Sequence, residues 1–250
     1  MRRVLVTCGR RSESATALVA ALNAAGVTAV RKLNLARQPG ANSLVVNWGT
    51  IVLPPWEANG AKVLNLVLAV NKWEELKTLF AGGIPTIPFI KPWDTYAGGV
   101  AFSTDVWLPR SLHHHGASDL RRLRAGRAFL TRRLTFTKEF RVHVFEGKSI
   151  RVGRKAPRPG ATVHPWIRSY ATGWDILYDT AAVQGMRSGW REIAKRAVAA
   201  LDYDFGAVDL AIEAETNRAV VLEVNSAPGL DTPATAQAYA RHIAAVARGD

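Results

Sequence analysis

Cysteine is nearly absent: Cys8 is the only one in 250 residues, so no intrachain disulfide can form. Stability then rests on a packed core, and a reducing compartment suits the chain. No run of eighteen apolar residues occurs, which removes the usual signature of a membrane-spanning helix. Met1-Arg2-Arg3 followed by VLVTCG has neither the length nor the cleavage pattern of a secretory signal, so a cytoplasmic protein is expected, with no membrane partner. Repeats and low-complexity segments are missing. The loop CGRRSES after the first strand-like run lacks the glycine spacing of a dinucleotide fingerprint, and its arginines are merely available. No convincing Ser-His-Asp or Cys-His set is present.

Acidic residues are scarce beside basic ones, 20 Asp and Glu against 33 Lys and Arg, for a net charge of +13. The imbalance is uneven. From Ala197 onward eight acidic residues face three basic ones, whereas Arg110 to Arg158 carries fourteen basic and three acidic. A cationic wall opposite an acidic patch suits an enzyme that handles nucleoside triphosphate and an acidic second substrate. It also suits a nucleic-acid binder, and charge alone does not separate the two. With 48% hydrophobic residues and a mean hydropathy of -0.01, the chain is globular and long enough for one large domain or two or three small ones.

The opening reads β-α-β-β: RVLVT, the Ala-rich helix ESATALVAALNAA ended by Gly26, then VTAVRKL and SLVVNWG. That alternation predicts a small α/β domain with a parallel sheet. Thr50 to Ala61, with Pro54-Pro55 and Gly60, reads as a linker. KVLNLVLAVNKWEELKTLFAGG has helical periodicity through Trp73, Leu76, Leu79 and Phe80, with Asn71 as N-cap and Glu74 three residues on. IPTIPFI is an edge strand broken by prolines; DVWLPR, GRAFLTRRL, KEFRVHVF and SIRVGRKA are further strands, the last two joined by an EGK turn. Pro157 to Gly173 is a long basic and aromatic loop, SGWREIAKRAVAAL an amphipathic helix, and Gln237 to Arg248 a terminal helix.

Chemistry concentrates near the C-terminus in LDYDFGAVDLAIEAETNRAVVLEVNSAPGL. Phe205 to Ile212 and Arg218 to Val224 read as antiparallel strands around a polar turn. Alternation then lets Asp209 face Glu223 and Asn225. Oxygen donors gathered in this way suit a hard cation such as Mg²⁺, which draws further ligands from bound phosphate. Taken alone, Glu-x-Asn equally suits an ion-paired Glu at a strand end followed by a turn. The SAPGL tail, leading to a helix at Thr232-Pro233, adds backbone N–H groups beside the charge.

DFGAVDL followed by VLEVNSAPGL resembles the metal-binding end of the ATP-grasp superfamily, specifically its carboxylate–amine ligases, which include D-alanine:D-alanine ligase, glutathione synthetase, the ribosomal-protein glutamate ligases and short phage-encoded relatives. The resemblance implies an α+β ATP-grasp fold, two α/β subdomains clasping ATP, preceded by a short α/β domain. The division would be 1–62 for the N-terminal domain and 63–250 for the ATP-grasp domain, split into 63–130 covering the nucleotide and 131–250 carrying the metal. The cofactors implied are ATP and Mg²⁺, two ions, with Mn²⁺ as a substitute. Asp209, Glu223 and Asn225 become the metal ligands; Lys72, Arg110 and Lys155 the triphosphate clamp, with Arg154 as the alternative to Lys155; and His115 a donor from the loop after Arg110. Leu130, Thr131, Arg132 and Arg133 fall at the adenine hinge and Glu139 at the ribose. Arg141 and Arg110 are the candidate catalytic residues, and Arg141, Arg168 and Ser226 the candidate substrate contacts.

Two features depart from the family's pattern. The loop SLHHHGASDL has His113, His114 and His115 where small residues are usual, and three consecutive His cannot all face one ion. Ala207 stands where several relatives have an Arg two residues before the metal Asp, a role that Arg141 is expected to fill. The activity implied is ATP-dependent joining of a carboxylate to an amine through an acyl phosphate, on an amino acid, peptide or protein terminus. A basic nucleic-acid-binding protein and a phosphotransferase on the same fold are the alternatives, nucleic acid being disfavoured because unmetallated carboxylates repel phosphate. A homodimer is left open.

Overall fold

The first strand, β1 (Arg3–Cys8), is buried at every residue after Arg3, as expected of an apolar run flanked on both sides. The computed structural model describes residues 1–33, 38–50, 60–67, 70–90, 107–111, 128–164 and 167–250. Helix α1 (Glu13–Ala24), capped by the Ser12 hydroxyl accepting from the Ala15 N–H, crosses over to β2 (Ala29–Leu33), and β3 (Ser43–Asn47) and β4 (Lys62–Leu64) follow. All pair in parallel, in the order β2-β1-β3-β4. β4 straddles the boundary expected between residues 62 and 63, so the first sheet claims residues that helical periodicity alone groups with the next segment.

Helix α2 (Lys72–Ala81) begins as the sequence predicts, with the Asn71 side chain accepting from the Trp73 and Glu74 N–H groups. Three short strands, β5 (Phe89–Ile90), β6 (Trp107–Ser111) and β7 (Ala128–Arg132), form an antiparallel sheet ordered β5-β7-β6. The largest sheet contains β8 (Phe136–Phe145), β9 (Lys148–Pro157), β10 (Trp174–Leu177), β11 (Phe205–Glu213) and β12 (Ala219–Asn225), ordered β10-β9-β8-β11-β12 and antiparallel throughout. β10 was not foreseen from the loop-like stretch that ends at Gly173. Helix α3 (Ser188–Ala200) covers one face of this sheet, and α4 (Pro233–Arg248) ends the fold. Among the described residues no helix is long and apolar enough to cross a membrane.

Strand alternation gives the large sheet two different faces. Phe140, Val142, Val144, Val208 and Leu210 point at Trp190, Ala194 and Val198 of α3 in one apolar core. On the other face the β8 residues run Glu139, Arg141, His143, Phe145, from charged to aromatic. At the aromatic end Phe145 and Phe205 stack 5.9 Å apart, and Phe205 stacks on Trp48 at 5.2 Å, joining this sheet to the core of the first one. Tyr239 of α4 closes that cluster.

Asn65 locks the junction between the first sheet and the last two strands. It adopts the left-handed backbone, φ 55°, which asparagine tolerates better than most residues. Its Nδ2 donates to the Phe205 and Ser226 carbonyls at 3.0 and 3.4 Å, its Oδ1 accepts from the Phe205 N–H at 3.0 Å, and its own carbonyl accepts from Asn47 Nδ2 at 3.0 Å. Asn65→Gly keeps the backbone geometry but strands buried polar groups of Phe205. Urea unfolding should show a loss of about 2–4 kcal/mol; a loss within error of zero would mean the clamp is dispensable.

Candidate functional site

The register of β8, β9, β11 and β12 brings distant charges into one row. Asp209 sits opposite Arg141 on one side and Glu223 on the other. Between Asp209 and Leu210 the β11–β12 register slips, so that Leu210 faces Val221 and Leu222 is the extra residue of a bulge. The bulge lets Val221 and Val224 both face the α3 core while Glu223 and Asn225 turn to the opposite face. Uninterrupted alternation would put Val221, Glu223 and Asn225 on one face, so the bulge is what separates core from site.

Asp209 and Glu139 on this face are almost dry, Glu223 is partly exposed, and each has a cation. Asp209, its side chain 4% exposed, receives two bonds from Arg141, Nε to Oδ1 at 2.8 Å and Nη2 to Oδ2 at 3.0 Å, and one from Lys155 Nζ at 2.9 Å. Lys155 also bonds Glu139 in the neighbouring row, and Arg168 Nε lies 4.0 Å from the same carboxylate while its Nη2 donates to the Phe136 carbonyl. Glu223 binds Lys72 at 2.7 Å through Oε2 and accepts from Asn225 Nδ2 at 3.0 Å through Oε1. Burial raises the pKa of Asp209 and of Glu223, but neighbouring cations outweigh it. Arg141 and Lys155 hold Asp209 below its ordinary range, and Lys72 with Arg110 of β6 hold Glu223 well below. Glu139, under Lys155, is pushed up by burial.

The sequence-derived candidates therefore fall into groups. Asp209, Glu223 and Asn225 are brought together on one face, and Lys72, Arg141 and Lys155 join them, bonded to carboxylates. Of the pair left open by register, Lys155 faces this cluster, while Arg154 lies on the opposite side of β9, paired with Phe140. Arg168 reaches the edge of the cluster beside Glu139, its guanidinium over the Trp174 ring at 4.6 Å. Ser226 contributes a carbonyl to the Asn65 clamp. His115 and the rest of the His-rich loop lie outside the described residues.

The adenine-hinge expectation for the backbone of Leu130 to Arg133 needs correcting. Leu130 and Thr131 sit in the middle strand of their sheet, paired with β5 on one side and β6 on the other, and Arg132 N–H donates to the Pro88 carbonyl at 2.8 Å. Backbone groups committed in this way are not open to a base, and only Arg133 lies beyond the strand. A cavity of about 600 Å³ lies beside this segment, lined by Phe80, Phe89, Leu134, Arg132, Glu213 and Arg218, with none of the expected metal or phosphate residues on it.

Glu75, in the first turn of α2, was missed. It is 2% exposed, and its Oε1 accepts from the Val224 N–H at 2.8 Å, filling an edge position of β12 between Glu223 and Asn225. Its phase beside Leu76 and Leu79 was the only available signal. His143, two residues past Arg141 on the same strand face, is also fully buried.

Among the described residues no group of three or more His, Cys, Asp or Glu is placed to hold a metal. Asp209, Glu223 and Asn225 instead offer two ionised carboxylates and an amide. That donor set suits Mg²⁺, which takes few protein ligands and completes its shell with water and phosphate.

No family model matches the sequence, and no curated protein matches it. Solved structures do. The ATP-grasp ligase PsnB complexed with minimal precursor superposes with a TM-score of 0.68 at 13% identity, covering 100% of this chain and 99% of that one. D-cycloserine synthetase DcsG gives 0.64 at 16% identity, covering 98% and 99%, and the D-alanine–D-alanine ligase of Bacillus anthracis gives 0.64 at 15%, covering 97% and 93%. One PsnB complex contains Mg and ADP. Similarity over whole chains on both sides establishes the fold of these ligases for this chain.

Glu75 provides a pH test. Burial first, and the nearby Glu223 charge second, raise its carboxyl to about 8, although the Val224 N–H, Lys72 and Arg110 oppose the shift. The folded protein then holds a proton that the unfolded chain releases near its ordinary carboxyl pKa. Stability from this group is full below that pKa and falls by up to about 1.4 kcal/mol per pH unit until the pH reaches the folded value. Glu75→Gln mimics the protonated form. Its stability relative to wild type, read from urea midpoints, should rise from pH 5 to pH 8; a pH-independent difference would refute the assignment.

Proposed function

Taking the ATP-grasp fold as premise, we propose that this protein is an ATP-dependent carboxylate–amine ligase acting on an amino acid, a peptide or a protein terminus. The observation that carries the reading is the single row in which Asp209, Glu223 and Asn225 are surrounded by Lys72, Arg110, Arg141 and Lys155. Cations at such density beside metal-type ligands suit a triphosphate. In this reading the first sheet with α1 is the N-terminal unit, the three-stranded sheet covers the nucleotide, and the five-stranded sheet carries the metal. PsnB and MdnC are solved with precursor peptides, which makes a peptide a reasonable substrate class here.

A carboxylate is a poor acyl donor because its leaving group would be oxide. Attack of one carboxylate oxygen on the γ-phosphorus breaks the bond to the β-phosphate oxygen and releases ADP, leaving an acyl phosphate. The amine nitrogen then bonds to the acyl carbon, the C–O bond to phosphate breaks, and the nitrogen gives up a proton. Mg²⁺ held by Asp209, Glu223 and Asn225 would supply charge neutralisation at the phosphates. Lys72, Arg110 and Lys155 hold and orient the phosphates, and Arg141 steadies the acyl phosphate in the place that Ala207 leaves without a cation. Arg168 binds substrate at the edge of the row, and Glu139 lies under Lys155 on the ribose side.

A thermal-shift series tests the reading. MgATP should raise the melting temperature of wild type by several degrees, and Glu223→Gln should lose most of that gain. ADP release should require an acid and an amine together. No stabilisation of wild type by MgATP would remove the ligase assignment; ADP formation with a stable phosphorylated product and no amine requirement would replace it with a phosphotransferase.

A further inference from the structure

Beyond Arg141 along the same face, away from Asp209, stands a second polar group built from Gly153, Tyr178, His143 and Arg151. Gly153 lies opposite Arg141 and His143 lies opposite Arg151. A Cβ on Gly153 would come within 2.5 Å of Ile176 Cγ2 and 2.8 Å of Tyr178 Cε1, so the missing side chain is what lets the Tyr178 ring lie over β9. There the Tyr178 hydroxyl meets His143 Nε2 at 3.0 Å, and His143 Nδ1 meets the Tyr239 hydroxyl at 3.1 Å. The Arg151 guanidinium carbon lies over the Tyr178 ring, 4.5 Å from its centroid.

We propose that Arg151, mounted on Tyr178, is a specificity-determining residue that binds a second anionic group, a carboxylate or a phosphate, on the ligase substrate. The inference rests on the ligase reading for the identity of the reaction, and on the following observations for the subsite. Lys72, Arg141 and Lys155 each have a carboxylate partner; Arg151 has none within 4.0 Å among the described residues, and its Nε is buried without an acceptor. A partly buried guanidinium without a counter-ion is costly, and an anionic group bonded to its outer nitrogens balances the charge. The cation–π contact with Tyr178 holds the guanidinium in place, and a guanidinium can give two parallel bonds to a carboxylate or phosphate. His143 supplies no competing charge: burial, then the Arg141 charge, lower its pKa to about 3, so a neutral imidazole anchors Tyr178. Asp231 lies close enough to influence the Tyr178 hydroxyl but forms no ion pair with Arg151.

Titration calorimetry of the full chain with L-aspartate, L-asparagine, O-phospho-L-serine and L-serine tests the subsite. Wild type should prefer at least one anionic probe over its neutral counterpart by about tenfold or more. A preference for aspartate identifies a carboxylate, and one for phosphoserine a phosphate. Arg151→Gln should erase the preference, Arg151→Lys should retain part of it, and MgATP affinity should be unchanged in both. Equal binding of charged and neutral probes by wild type, or a preference that survives in Arg151→Gln, overturns the proposal. Failure of wild type to bind MgATP would instead strike the ligase reading, and the probe comparison would still decide the subsite.

Discussion

Asp209 and Glu223 are held ionic on one sheet face, with Glu139 buried beside Asp209, and the rest of the site depends on how these carboxyl groups are met. Removing a carboxylate from water costs several kcal/mol unless cations and donors replace the lost hydration. Here the replacements come from α2, β6, β8, β9 and the segment after β9. Lys72 and Glu223 are separated by 151 residues of chain, yet lie 2.7 Å apart. A face of apolar residues would pack more favourably, so this arrangement sacrifices stability, which is the mark of a surface kept for chemistry.

The sheet reconciles this charged face with an apolar one by alternation, and the bulge at Leu222 permits both on the same strand. β8, β9, β11 and β12 turn alternate residues toward α3 and, outside the bulge, the others to the opposite face. Along β8 the site face passes from Glu139 through Arg141 and His143 to Phe145, so the charged row grades directly into the aromatic cluster of Trp48, Phe205 and Tyr239. Asn65 fastens the first sheet to the same strands from the other side. Movement of the N-terminal unit would therefore be felt at β11 and β12 through hydrogen bonds, among them the one that the Asn65 N–H donates to the Asp204 carboxylate just ahead of β11.

Much of this was legible in the sequence because it follows local rules. The Asn71 cap, the β-α-β-β opening and the antiparallel strands around the Glu213 to Asn217 turn need only periodicity and capping chemistry. The Asp209–Glu223 pairing was legible as well, and so was the face that Glu223 shares with Asn225, but the reason Val221 leaves that face was not, since a bulge leaves no mark in the alternation of apolar residues. Partners chosen across long separations were also hidden. Lys72 and Lys155 read as phosphate ligands, whereas in the folded chain they bond Glu223, Asp209 and Glu139. Glu75 read as an ordinary first-turn acid, because nothing in α2 reveals that the edge of β12 lies against it.

The overlap between carboxylate partners and proposed phosphate partners is itself informative. A set of cations committed permanently to ion pairs would be useless for holding a nucleotide, and a set with no partners would repel itself in so dry a space. Pairing each cation with an acid that also has metal-ligand chemistry satisfies both demands. On the proposed reading, a triphosphate arriving with its magnesium brings little net charge, so the row exchanges one set of counter-ions for another and its overall balance is preserved. Arg151 falls outside that exchange, since no acid among the described residues is paired with it. The charge it contributes is left for the part of a substrate that does not react.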